Sequence, residues 1–358
     1  MLHQVRSRLP EGARSRIEGF VAYTSPEWVT GAHALGLIFA GVMGLWWPLV
    51  AAPLCGLITA SLVAESSGRF SALRRVLPKS ASYNLVWRRE AEQPLGALVV
   101  TAPLDTPRWR PEPPRWLGRP LQMVVFAAGL VTFLVTLRAL AEPWGRPSQG
   151  LYTVALLVLA STVALGIMAH RRTPVMRDDA SGAAALLELH RRVMEKPIPG
   201  LDVWLVFTGC SHAYQNGMHA FLAMRGVRLR QPLFVLTLDE PGAAPLAAVV
   251  SEGPLYAQHH RPTGPALVER LRWGGVDLPA RDTARVTDAR AALQWGYRAL
   301  ALTGGGGPSS PEHTQRAVDV AEALSRMYAE DVASVPELAP ALEPVTETVD
   351  TEKVVVGR

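Results

Sequence analysis

The sequence predicts a mixed α/β fold: a mostly parallel sheet flanked by helices and interrupted by transmembrane helical hairpins. Three observations carry that prediction. Strand-like and helix-like runs alternate from about residue 80 to 330, the pattern of a sheet covered on both faces. Three long stretches hold no Asp, Glu, Lys or Arg: Trp28 to Ala64, Pro120 to Leu137 and Pro147 to His170. The last two fall inside the α/β pattern, so they read as an insertion into one sheet domain and not as a separate anchor.

Residues 1–27 form a cytoplasmic N-terminal segment with Arg6, Arg8, Arg14 and Arg16. Residues 28–64 are long enough for two short spans that reverse at "WWP", Trp46 to Pro48, where tryptophans suit a membrane interface. A buried core hairpin or a re-entrant element stays open for this run. Residues 65–119 hold "ASYNLVWRRE" and "LGALVVTAPLD", two short β-branched and aromatic strands, then the Pro- and Trp-rich linker "TPRWRPEPPRWLGRP". Residues 120–170 are a second hairpin, each arm near the roughly 17–20 apolar residues a span requires.

Residues 171–334 resume the sheet domain. "DDASGAAALLELHRRVMEK" is a helix with Asp and Ser at its start. "LDVWLVFTG", "PLFVLTLDE", "PLAAVVSE" and "RALALTGGGG" are strands, and "TQRAVDVAEALSRMYAEDV" is a closing helix. Residues 335–358 turn to Pro, Glu, Thr and Val and read as a flexible tail.

The net charge of +5 follows from arginines placed on one side of the spans, ten Lys or Arg in 65–119 among them. By the positive-inside rule the chain is a multi-pass protein of a bacterial-type inner membrane, with the sheet domain and both termini cytoplasmic. Its expected partners are the lipid bilayer and a membrane protein or membrane-proximal peptide. The basic excess needs no nucleic acid to explain it. Cys55 and Cys210 lie in different settings and suggest no disulfide. His33 is the one titratable side chain inside the spans, too little for a transporter.

Polar residues collect at strand ends and helix starts. These are Asp105 in "TAPLDT", Asp178 and Asp179 in "RDDASG", Ser211 and His212 in "TGCSHAYQNG", Asp239 in "LTLDEPG" and His313 in "PSSPEHT". Each alone could be a cap, a turn former or a loop residue. His259–His260 reads as a solvated pair.

Their order resembles the zinc aminopeptidases and glutaminyl cyclases of metallopeptidase family twenty-eight, over roughly 80–110 and 171–330. "DDASGAAALLEL" is the most specific match and "FTGCSHAYQNG" the next. The resemblance implies a zinc-exopeptidase-like fold and a two-zinc site. It puts the bridging carboxylate on Asp178, a strand-end ligand on Asp239, a late ligand on His313 and an orienting aspartate on Asp105. It also puts Pro103 where a histidine ligand belongs, Ser211 on the general base, His212 on a glutamate ligand and Ala317 near a further aspartate. Asp178, His212 and His313 make a legitimate set for one tight zinc ion; the alternative is no metal at all. His212 is then either a swapped ligand or a packed histidine in a decayed site. The implied function is a pseudopeptidase or a weak one-zinc hydrolase. Two alternatives are an active membrane-bound aminopeptidase or amidohydrolase on membrane-proximal peptides, and a binding or scaffold subunit of a membrane complex.

Overall fold

A computed structural model describes residues 15–23, 26–67, 72–76, 79–105, 120–141, 180–253, 257–305 and 309–334. Asp178 and Asp179, the apolar run 147–170, most of the linker and the tail lie outside these residues.

Nine strands form one sheet: β1 (Ser15–Ala22), β2 (Ser80–Arg89), β3 (Gly96–Pro103), β4 (Leu201–Thr208), β5 (Leu233–Asp239), β6 (Ala247–Glu252), β7 (Gln258–His259), β8 (Ala280–Thr283) and β9 (Arg298–Thr303). The order is β1-β2-β4-β3-β5-β9-β6-β7, with β8 beside β6. Strands β4, β3, β5 and β9 are parallel neighbours, so the centre of the sheet is parallel as expected. They are buried along nearly their whole length, which is why their sequences run apolar instead of alternating.

The sheet also takes in residues of the N-terminal segment 1–27, which the sequence placed outside it. Strand β1 pairs antiparallel with β2 from Ser15↔Trp87 to Ala22↔Ser80. Glu18 interrupts its apolar pattern, and its carboxylate is neutralised by the Arg225 guanidinium, whose Nε lies 2.9 Å away.

The helices are α1 (Pro26–Met43), α2 (Pro48–Ser67), α3 (Ala72–Val76), α4 (Pro120–Ala141), α5 (Ser181–Glu195), α6 (Asn216–Arg225), α7 (Thr263–Trp273), α8 (Asp288–Gln294) and α9 (Pro311–Ser334). One face of the sheet is covered by α5, α7 and α9 through Leu186, Leu189, Leu267, Leu271, Leu324 and Tyr328. The other face is covered by α6 and α8 through Met218, Phe221, Leu222 and Leu293.

Helices α1, α2 and α4 pack on one another around Leu37, Ala51, Cys55, Leu62, Val131 and Val135. Two polar contacts pin them: His33 Nε2 to Ser61 Oγ and Thr59 Oγ1 to Thr132 Oγ1, each at 3.0 Å. His33 is therefore a helix–helix pin, with Nδ1 also bonded to the Val29 carbonyl. Among the described residues one stretch, Pro48–Glu65 in α2, is long and apolar enough to cross a membrane. Only 28% of it is buried, unlike the core helix of a soluble protein. Shorter apolar stretches, Gly31–Met43 and Ala128–Leu137, lie in α1 and α4.

Candidate functional site

Strand β4 ends at Thr208, and the chain turns through Gly209–Gln215 before α6 starts. Asn84 of β2 holds both sides of this corner: its Oδ1 accepts from the Gly209 amide at 3.0 Å and its Nδ2 donates to the Gly217 carbonyl at 2.8 Å. A Cβ on Gly217 would lie 2.2 Å from the Gly209 carbonyl oxygen, so the corner closes only with glycine there. Among the described residues the non-glycine positions with positive φ are Cys210, Tyr214, Gln215 and Glu240. Three form this corner and the fourth follows Asp239. Backbone strain of this kind, of order 1–3 kcal/mol each, gathers at functional sites.

Two carboxylates grip the corner. Asp105, two residues past β3, accepts the Ser211 and His212 amides on its two oxygens, each at 2.9 Å. Asp288, at the start of α8 and fully buried, accepts the Ser211 hydroxyl on Oδ1 and the Thr208 hydroxyl on Oδ2, each at 2.6 Å. Burial pushes the Asp288 carboxyl up to about 6 against the pull of those hydroxyls and of His212. Burial likewise pushes Asp239, the last residue of β5, up to about 7; His212 and Arg285 draw it down while Glu240 and Asp288 raise it further. The His212 Nε2 atom is buried and lacks a hydrogen-bond partner among the described residues.

The stretches that flank the remaining predicted residues meet beside Asp239. Gly242 donates its amide to Ser181 Oγ at 3.0 Å and accepts the Ser310 amide on its carbonyl at 3.0 Å. The start of α5, just after Asp178, and the start of α9, with His313 in its first turn, are thus tied to one loop. His313 donates its amide to Ser310 Oγ at 3.2 Å. Gly182 allows α5 this close: a Cβ there would stand 2.6 Å from the Leu238 carbonyl oxygen. Gly182→Ala is expected to push α5 off the sheet and cost about 1–3 kcal/mol, measured as a lowered urea midpoint.

Zinc is tested by its donors. Pro103 closes β3 without a donor atom, and Ser211 offers only a hydroxyl. Among the described residues no three His, Cys, Asp or Glu side chains lie close enough to hold a metal ion. His212 and Asp239 supply two donors, one fewer than a catalytic zinc takes from protein, and Asp178 lies outside the described residues.

Sequence reasoning missed Asp288 and Asn84. "VTDARAAL" reads as ordinary helix-start chemistry, and Thr287 does cap α8 by accepting the Ala289 amide. No local signal places the next residue under Ser211. His260 is a correction: His259, the last residue of β7, is exposed, but His260 just after it is buried with Nε2 2.9 Å from Glu252 Oε1, since successive residues of extended chain face opposite ways.

No family model matches the chain, and no curated protein matches it. Among solved structures it is similar to a zinc aminopeptidase from Bacillus subtilis, at 14% identity and a TM-score of 0.39, over 70% of this chain and 50% of that one. It is also similar to a glutaminyl cyclase from an Acidobacteriales bacterium, at 12% identity and a TM-score of 0.42, over 84% and 95%. A leucine aminopeptidase precursor from Bacteroides thetaiotaomicron gives 13% identity and a TM-score of 0.38, over 87% and 98%. The matched region spans about half the length of the Bacillus enzyme and of an aminopeptidase from Aneurinibacillus.

Proposed function

We propose that the chain is a membrane-anchored protein with an aminopeptidase-like site that binds without efficient hydrolysis, a pseudopeptidase. One observation carries this reading: the Ser211 hydroxyl and both corner amides are already taken up by Asp288 and Asp105. Ser211 stands where the resemblance puts a general base. A neutral hydroxyl is a poor proton acceptor at pH 7 and forgoes the roughly 10²–10⁴-fold such a base contributes. The Ser211 hydroxyl donates to Asp288, each of whose oxygens already accepts one hydroxyl. A serine nucleophile would also need N–H donors aimed at the developing oxyanion. Both corner amides go to Asp105. His212 Nε2 and the Asp239 carboxyl are the groups left to meet a polar ligand.

A one-zinc hydrolase is the second reading, favoured by the buried, unpartnered Nε2 of His212. The described residues do not by themselves fit the ion, so no step is derived through it. Anchoring is supported by the exposed apolar surface of α1, α2 and α4 and the connection between α1 and α2, which includes Phe39, Trp46, Trp47, Leu57, Phe133 and Leu140. The full proposal is two hairpins in a bacterial-type inner membrane, the sheet domain cytoplasmic, and a membrane protein or membrane-proximal peptide as the bound partner.

Full-length protein, purified in detergent without chelator, tests the reading by metal analysis and by turnover of aminoacyl anilides. The expected result is no stoichiometric zinc and no turnover. About one zinc per chain, lost in His212→Ala or His313→Ala along with turnover, would replace the pseudopeptidase by the one-zinc enzyme.

A further inference from the structure

The carboxyl ends of β4, β3, β5 and β9 define one edge of the sheet, and the 211–212 corner and Asp239 lie there. The strand register puts the end of β1 and the start of β2 at this same edge. Strand β2 runs opposite to β4, with Leu85 beside Phe207 and Ser80 five residues further out, and Ala22 pairs with Ser80.

Every described point where the chain passes between sheet and apolar helices is at that edge. The chain leaves β1 at Tyr23 for α1, and returns from α3 to β2 at Lys79 and Ser80. It leaves β3 at Pro103 to Asp105 on the way to α4. The described chain resumes at Ala180, and Ser181 beside it accepts the Gly242 amide at this edge. The corner itself touches the first crossing: Asn216 Nδ2 donates to the Tyr23 carbonyl at 2.8 Å, and Ala22 packs on Cys210 and Ala213. Helix α1 starts three residues after Tyr23, within about 11 Å of extended chain.

We infer that the carboxyl edge of the sheet lies against the lipid headgroups, so that the site opens onto the bilayer surface and takes its ligand from that layer. This rests on the anchored reading above and names its ligand class: a polypeptide segment adjoining a membrane span. The first crossing leaves too little chain to hold this edge far from α1, and the third starts at Asp105, which itself holds the corner. Charge agrees. Arg75 and Lys79 are exposed beside the second crossing, where cations meet anionic headgroups. The opposite edge carries Leu95 and Val227, exposed and remote from every crossing. Strands of six to eight residues at ~3.3 Å each put about 20 Å between the two edges.

The test uses the full chain in phosphatidylcholine–phosphatidylglycerol vesicles that carry a nitroxide on the headgroup. Single cysteines are introduced as Ala244→Cys and Lys79→Cys at the carboxyl edge, and as Leu95→Cys and Val227→Cys at the other, each labelled with a small fluorophore. All four positions are exposed, none belongs to the site, and both native cysteines are buried. The expected result is several-fold stronger quenching at 244 and 79 than at 95 and 227. Equal quenching at the two edges, in protein that stays with the vesicles through an alkaline carbonate wash, would overturn the inference and leave anchoring intact. Protein stripped by carbonate would overturn the anchored reading itself, and the inference with it.

Discussion

Asp239→Asn is expected to stabilise the protein above pH 7 and to flatten its response to pH. Burial lifts the Asp239 carboxyl from the ordinary 3.8 to about 7, so the folded state holds this proton where the unfolded chain has released it. Between about pH 4 and 7 the folded state therefore binds more protons, and stability falls as pH rises through that window. Above it the buried charge is fully present and its cost complete. Glu240 and Asp288 add to that cost, while His212 and Arg285 offset part of it. Asparagine keeps the shape and removes the charge, for an expected gain of about 2–4 kcal/mol at pH 8. Thermal unfolding of both forms at pH 4.5 and pH 8 gives the check: the gap should be wide at pH 8 and nearly closed at pH 4.5. A wild-type protein that grows more stable from pH 4.5 to 7 because of Asp239 would contradict the assignment.

The second large effect is expected at Asp105. Its two oxygens hold the Ser211 and His212 amides next to Cys210, whose φ is +54°. Asp105→Ala removes both acceptors and leaves a left-handed residue without its restraint. Charge-assisted hydrogen bonds to backbone amides contribute about 1.5–3 kcal/mol each, less where water reaches them as it does at half-buried Asp105, so a loss of about 2–4 kcal/mol is expected. Asp105→Asn retains one acceptor and should lose about half as much. Urea midpoints at pH 7 measure both. Because Asp105 also raises the Asp288 carboxyl, either change should let Asp288 titrate lower, a shift that carboxyl-edited NMR reads directly. An unchanged midpoint in Asp105→Ala would mean that the corner keeps its shape without the clamp, and would weaken the case that its amides are closed to ligands.

The parts of the fold that could be read from sequence are those whose burial is continuous. Strands β3, β4, β5, β6 and β9 announce themselves as short apolar runs, and α5 and α9 as long helical ones, because each buries its face against the sheet's centre. The strand-end position of Ser211 and His212 followed from the same runs. Strand β1 was hidden because a carboxylate sits in its middle, and only a guanidinium more than two hundred residues later makes that tolerable. Asp288 was hidden for a related reason. At a helix start an aspartate is commonplace, and what sets this one apart is two hydroxyls brought from β4 and the corner after it. His260 looked solvated beside His259 until the β6–β7 hairpin turned it inward against Glu252. In each case the deciding partner is distant along the chain, and hydropathy carries no trace of it.

The pairing of Ala22 with Ser80 makes the first apolar hairpin the loop of an ordinary antiparallel β-ribbon. If the hairpin enters a membrane as proposed, the nascent chain does so with an unclosed ribbon, and its outermost strand waits unpaired until residue 89 has emerged. Under that reading, closure of the ribbon is subordinate to delivery of the apolar hairpin between its two strands. A defect in delivery of the hairpin would then delay the pairing of β1 with β2 and leave strand edges open, to be read as aggregation.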